Sequence, residues 1–428
     1  MKLQWNRGLL LAALLAAMAA GCDPAHAQDG LTIEPVLARV LENNPRLLAA
    51  DAAGRASLAR IDQAGRRPNP ELAFDWEDLA GTGDFSGVKS SELSLMLSQT
   101  FELGGKRGKR REQAEGVGHL VDWERRAQRL DVIYQAKEAF LEVWAAQARL
   151  ELAGEQEQIF SELLEEFERR VAAGAASTVD LSRAKGSLAT ARMVGRVRTL
   201  ELNTACRRLA ALWNSTEPDF SRVIADYDHI RPPALTGDPD DLLADNPALG
   251  LWNAQVALQK ANRNLARSAG AIDLNLGLGV KHFAEFGDQA LAVSAGVPLP
   301  VFDSNKDEVR AAEYELDQVR QQGEAIRTAL LTEVAVFRQE ARTSLDEVIT
   351  LQDEIIPQAT VAFEATRDGH AQGIFTLTDV LETRRFLNEL REIRIDGLVR
   401  HYLATARLWR LSGRTMPGIA VADERTSR

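Results

Sequence analysis

The side chains that could do chemistry are present in this chain, but not at the spacings chemistry needs. The histidines, His26, His119, His229, His282, His370 and His401, are scattered, with no two at the separation of a metal-ligand pair. The only cysteines are Cys22, in the leader described below, and Cys206, so no intramolecular disulfide is expected in the mature chain. Cys206 falls in a helical pattern with Leu202, Leu209 and Leu212 and reads as a small buried residue. Gly104 to Lys109 has the look of a phosphate loop. Its glycines stand one residue too close, however, and Arg110 occupies the place of the required Ser or Thr. No Ser-His-Asp or Cys-His arrangement is recognisable, and the carboxylates are too many and too regular to nominate an acid-base pair. Neither an enzyme nor a resident metal or cofactor is expected.

The elements that would have to position such residues carry the information instead, because the chain reads twice. Asn44-Pro45-Arg46-Leu47 recurs as Asn246-Pro247-Ala248-Leu249, and at the same offset Leu72-Ala73-Phe74 falls on Leu274-Asn275-Leu276. The turn from Gly174 to Asp180 is echoed by the one from Gly373 to Asp379. Each half is predicted to hold a short helix, two strands and a very long helical hairpin. Duplication on this scale copies an architecture rather than a pocket.

The strands show which solvents that architecture meets. Leu72, Phe74 and Trp76 alternate with Glu71, Ala73, Asp75 and Glu77, and Leu93, Leu95, Leu97 and Phe101 alternate with Glu92, Ser94, Met96, Ser98 and Thr100. In the second half Ile272, Leu274, Leu276, Leu278 and Val280 alternate with Asp273, Asn275, Gly277 and Gly279. Leu291, Val293 and Val297 do so with Ala292, Ser294 and Gly296. Runs of about 9–12 residues cross a bilayer when tilted, and apolar faces this pure opposite carboxylates and glycines suit lipid outside and a wet lumen inside. Four strands cannot close a barrel, and open edges are not tolerated in lipid, so several chains must combine. Three chains would give about 12 strands and a pore, whereas about eight strands fill their own interior.

The strands are placed at 71–78, 91–102, 272–283 and 289–298, with hairpins over 105–213 and 304–412. The halves cover 28–213 and 241–412, with a proline-bearing linker at 214–240 and a tail at 413–428. Some 65 residues from Lys106 to Val171 contain no decisive break and would make a rod of ~100 Å. Val309, Ala312, Leu316, Val319, Ile326, Leu330 and Phe337 follow a near-heptad with Gly323 in one slot, which implies coiled-coil packing. Pro357 should kink or break the second rod.

The first 27 residues form an export signal: Lys2 and Arg7, then an apolar run from Leu9 to Ala20, then Ala25-His26-Ala27 as a cleavage signal. The rival within it is acylation at Cys22 after Ala19-Ala20-Gly21. Beyond the signal no stretch is long and apolar enough for a membrane helix. A net charge of −11 and the lack of a basic aromatic patch argue against nucleic acid as a partner.

Strand-coupled hairpins in tandem resemble the TolC family of outer-membrane efflux channels. The run from Leu97 to Arg107, with Phe101-Glu102-Leu103-Gly104-Gly105 at its centre, is similar to the strand-to-helix junction of the heavy-metal (CzcC-like) branch, and Val297-Pro298-Leu299-Pro300-Val301-Phe302-Asp303 is the second junction. The resemblance implies a mainly α homotrimer with a 12-stranded membrane barrel above a 12-helix periplasmic tunnel. It implies residence in the outer membrane of a Gram-negative bacterium, and a periplasmic adaptor and an inner-membrane RND pump as partners. Transferred by the Asp-Val-Leu motif, Asp379 and Glu382 become constriction residues near the second tip, and Asp180 an acidic latch partner on the first. Where better-known drug channels carry Tyr and Arg, this chain has His370 and Phe375, a departure that argues against a salt-bridge latch and leaves closure by packing or a weaker closure. Gly174, Ser177, Gly373 and Thr376 suit either adaptor docking or simple turn chemistry. The expected cargo is a heavy-metal cation. Two rivals stand beside it: the same duct with organic compounds or a secreted polypeptide as cargo, and a periplasmic coiled-coil adaptor, which should show one hairpin flanked by compact β domains.

Overall fold

The computed structural model describes residues 30–227 and 237–414. The proposed export signal, Cys22 included, lies outside them, as do part of the linker and the end of the tail. In chain order the elements are α1 (Ile33–Asn43), α2 (Pro45–Ala64), β1 (Glu71–Glu77), β2 (Glu92–Phe101), α3 (Lys106–Ala172) and α4 (Thr178–Ala211). The second half gives α5 (Pro239–Leu242), α6 (Pro247–Ala269), β3 (Leu274–Phe283), β4 (Asp288–Gly296), α7 (Lys306–Thr350), α8 (Ile356–Ala371) and α9 (Leu377–Leu411).

The recurrent Asn-Pro pair starts α2 and α6 by the same device. Asn44 Oδ1 accepts from the backbone N–H of Arg46, and Asn246 Oδ1 from those of Ala248 and Leu249. The proline that follows supplies a helical φ where no donor is needed. Both helices then lie along α3, and α6 also packs on α7. Gly116 of α3 lets α6 approach closely, since a Cβ there would sit 3.1 Å from the Leu258 side chain. Gly323 of α7 serves similarly. The Trp252 indole fills the space a Cβ would take and donates its Nε1–H to the Val319 carbonyl at 2.9 Å.

The long helix α3 runs for 67 residues, which at ~1.5 Å each makes about 100 Å. Its buried face changes partner along its length. Val132, Ile133, Ala136, Phe140 and Val143 share a core with α1 and with Ala205, Cys206 and Leu209 of α4. Further down, Phe160 and Leu163 join Leu188 and Ala191 of α4 and Phe363, Val380 and Leu387 of the second hairpin. Burial pushes the Cys206 thiol up, so it is a packing residue rather than a nucleophile.

The second rod is interrupted at the expected place, by a π turn rather than by an end to the winding. Between α7 and α8 the chain keeps winding through a π turn, Leu351–Ile355, and Pro357 enters at the second position of α8. A wider turn absorbs the proline's missing N–H, so winding continues through it rather than stopping.

The four strands make one antiparallel sheet in the order β1-β2-β3-β4. Its register aligns the apolar sets of both halves: Leu72, Leu97, Leu278 and Val293 form one row across the sheet, and Phe74, Leu95, Val280 and Leu291 the next. These side chains are exposed, as no soluble core would leave them. β3 begins at Leu274, so Ile272 and Asp273 precede the strand. β4 ends at Gly296, short of Val297.

Candidate functional site

Two places in this architecture gather the candidate residues: the sheet wall with its junction to the helices, and the hairpin tips.

On the face opposite the apolar rows stand Glu71, Ser98, Gly277 and Ser294, then Ala73, Met96, Gly279 and Ala292, then Asp75, Ser94, Lys281 and Ala290. Gly277 and Gly279 are required by crowding. A Cβ at the first would meet Ser294 Oγ at 2.4 Å, and at the second the Leu95 carbonyl oxygen at 2.3 Å. Lys281 bonds Glu92 and lies 3.9 Å from Glu77, so this face is polar and internally paired near its far end.

At the junction, Gly104 and Gly105 both adopt left-handed backbone, with φ of 67° and 72°, and turn β2 into α3. The glycine-lysine run is therefore a corner. Asp273 ties it down: its carboxylate accepts from Lys106 Nζ at 2.8 Å and from the Leu103 N–H at 3.2 Å. The Glu102 carboxylate holds Arg110, with one contact at 2.9 Å, and keeps that guanidinium charged. Asp273, just before β3, thus also pins the second half of the chain to the first junction.

Both tips are built alike. α3 ends on Gly174 and α8 runs out to Gly373, each with positive φ, and Ala175 and Ile374 donate back to the carbonyls of Arg170 and Gly369 at 2.7 and 2.8 Å. Three residues after each glycine comes the cap of the return helix: Ser177 accepts from the Val179 N–H, and Thr376 from the Asp379 N–H. Gly174, Ser177, Gly373 and Thr376 thus serve as turn and cap residues, and all four are exposed.

Asp379 stands in the first turn of α9 and caps it reciprocally. Its Oδ2 accepts from the Thr376 N–H and hydroxyl, both at 2.8 Å. Those bonds, the backbone one first, hold its carboxyl below the usual range, and nearby His370 adds to the effect. Glu382, one turn further on, is exposed and has no ion pair among the described residues. Asp180 is half-buried and 3.9 Å from Arg183, whose guanidinium donates to Thr378 Oγ1 at 3.3 Å across to the second tip. His370 lies at the second tip. It is buried, stacked on Phe167 at 5.5 Å between ring centres, and its Nδ1 is 2.9 Å from the Phe375 carbonyl. These contacts fasten the tip within the protomer. The Phe375 ring is exposed over Gly369, where a Cβ would come within 2.6 Å of it. Sequence reading missed Arg183 and Thr378, although an arginine three residues beyond Asp180 on one helix face was a usable sign.

Above the tips, polar links join the two hairpins. Arg391 reaches Glu155 and Arg198 reaches Glu392, both at 2.8 Å, while Arg149 pairs with Asp396 and Arg407 bonds the Tyr134 hydroxyl at 3.0 Å. Arg384 is buried over the Phe363 ring with Glu155 at 3.7 Å. Burial, and then the charge of Arg391, lower its pKa.

The outer membrane efflux protein family model matches residues 36–215 and 239–414. The chain is 28% identical over 391 residues to the cobalt-zinc-cadmium resistance protein CzcC of Cupriavidus metallidurans, covering 91% of this chain and 92% of that protein. It is 26% identical to the pyoverdine export outer membrane protein OpmQ of Pseudomonas putida, covering 83% and 80%. The crystal structure of CusC superposes with a TM-score of 0.78 at 17% identity, over 90% of this chain and 92% of that one. The adaptor reading falls here, because both halves match one channel family and share one sheet. Since the match spans both repeats, and the sheet is apolar on one side and polar on the other, the chain belongs to the outer membrane efflux protein family: it is an outer-membrane duct and not an enzyme.

Proposed function

We propose that this chain is the outer-membrane exit duct of a tripartite efflux system, that it acts as a homotrimer, and that its cargo is a heavy-metal cation. The observation behind the trimer is the sheet itself. Among the described residues β1 and β4 have no strand partner on their outer edges, while the apolar rows between them are exposed. Such edges cannot stay open in lipid, and three sheets give about 12 strands around a pore. Twelve helices would continue it into the periplasm. An adaptor and an RND pump would supply cargo and energy, since no helix among the described residues is long and apolar enough to cross a membrane.

The metal cargo is supported by the CzcC relative and by the junction sequence. The OpmQ relative favours the second reading, the same duct carrying an organic compound. Asp379 and Glu382 are assigned to the constriction, with Asp180, through Arg183 and Thr378, bracing the tips. Three copies of each carboxylate would attract cations and repel anions. Gly174, Ser177, Gly373 and Thr376 shape the turns to which an adaptor would dock.

The experiment is growth of a clean deletion strain and its complement on zinc, cobalt, cadmium, nickel, copper and silver beside dyes, detergents and antibiotics, in a host lacking other such ducts. Selective loss of metal tolerance is expected. Sensitivity confined to the organic compounds would reject the metal cargo and keep the duct.

A further inference from the structure

Below the sheet, the chain leaves β4 through Val297-Pro298-Leu299-Pro300-Val301-Phe302 before α7 begins. Phe302 is fully exposed, Leu299 and Val301 are each 73% exposed, and Val297 is 46% exposed. Among the described residues the only backbone bond within this stretch is Val301 N–H to the Leu299 carbonyl, 2.8 Å, a tight local turn. Pro298 and Pro300 have no N–H to give, so the stretch cannot extend the sheet or accept a neighbour's strand as an ordinary ladder.

Its position is fixed by the register. Asn275 pairs with Gly296, and Phe101 with Leu274, so Val297 stands beside the lowest apolar row and Leu299 to Phe302 continue beyond it. The height of the belt shows why this matters. From Leu93 to Phe101 is about eight steps of ~3.4 Å, or about 27 Å along the strand, which a ~40° tilt reduces to about 21 Å. An apolar band of about 25 Å is usual for such walls. The sheet alone falls a few ångströms short of this, and an exposed apolar run lies on its helix side.

Cationic side chains surround the same level. Arg66 and Arg67 precede β1 and Arg107 follows β2; all three are exposed and in no ion pair among the described residues. Pro68 is held to Gln99 and the Arg66 carbonyl to Arg110, which keeps this margin beside the sheet. Asp303, whose carboxylate accepts from the Asn305 N–H at 2.8 Å, marks the return to water.

We infer that segment 297–302 is a lipid anchor: it completes the apolar belt by entering the phospholipid leaflet on the periplasmic side, with Arg66, Arg67 and Arg107 against the phosphates. The inference rests on the sheet's being in the bilayer, and the test separates the two. In full-length protein carrying Cys206→Ala, single cysteines replace Leu299, Phe302, Leu291 or Asp307 and carry an environment-sensitive fluorophore. The protein is reconstituted in phosphatidylethanolamine-phosphatidylglycerol vesicles. Labels at 299 and 302 should lose emission to lipids bearing a nitroxide near the headgroup and be shielded from iodide, whereas the Asp307→Cys label should respond to iodide alone. Iodide quenching at 299 and 302 would place them in water, and protection from both quenchers would place them under a second copy of the chain; either result overturns the anchor. Failure of the Leu291→Cys label to meet any lipid nitroxide would remove the membrane wall itself, and the anchor with it.

Discussion

The side-chain amide of Asn246 donates to the carbonyl of Leu411 at 2.7 Å, and in the other half the amide of Asn44 donates to the carbonyl of Leu212 at the same distance. In each repeat one asparagine caps the upper helix with its oxygen and, with its nitrogen, satisfies an orphan carbonyl at the end of the lower one. Two helices far apart in sequence are thereby stacked end to end along the long rod.

Replacing Asn246 by Ala removes a cap and leaves a buried carbonyl unpaired, a loss of about 1–3 kcal/mol. Thermal unfolding of the purified channel should show a lower midpoint, with Asn44→Ala similar and the double variant near the sum, since the sites are in separate repeats. A double variant no worse than either single one would mean that the two joints do not act independently.

Two kinds of glycine should behave differently. Gly323→Ala drives a methyl group into the Trp252 ring, as close as 2.0 Å, and should cost about 1–3 kcal/mol with a shift in Trp fluorescence. Gly174→Ala and Gly373→Ala meet no atoms and pay only for left-handed backbone, about 1–2 kcal/mol each. Their effect should appear as easier proteolysis at the tips, with tryptophan emission unchanged.

The capping role of Asp379 carries a pH signature. Because its folded carboxyl is held low, its contribution is present above the usual carboxylate value of about 3.9 and is lost as pH falls through the folded value. The parent should therefore be more stable than Asp379→Ala at neutral pH, with the gap closing only in strong acid. Unfolding midpoints across that range decide it. A gap that closes already near neutrality would assign the effect to another group.

Selectivity tests the constriction separately from stability. Asp379→Ala with Glu382→Ala should move the reversal potential of bilayer-inserted channels under a salt gradient toward zero cation preference. Glu382→Gln alone should do part of this without affecting unfolding, because Glu382 makes no ion pair within the described chain. An unchanged potential in both would take these carboxylates out of the gate.

Much of this molecule was legible one segment at a time. Alternation along Glu71 to Glu77 fixes which side chains share a face, Asn before Pro marks a helix start, and paired glycines at 104 and 105 mark a corner; each depends on a few adjacent residues. The repeat and the two-solvent sheet followed from that local information. What the tertiary structure decided was how distant helices are set against each other. It placed Trp252 in the slot of Gly323, turned His370 inward onto Phe167, carried Arg183 across to Thr378, and made Asp273 a pin between the two halves. Periodicity names the face a residue occupies, but not the height at which two rods some hundred residues apart come into register, and that height is set by the packing of the whole assembly of helices.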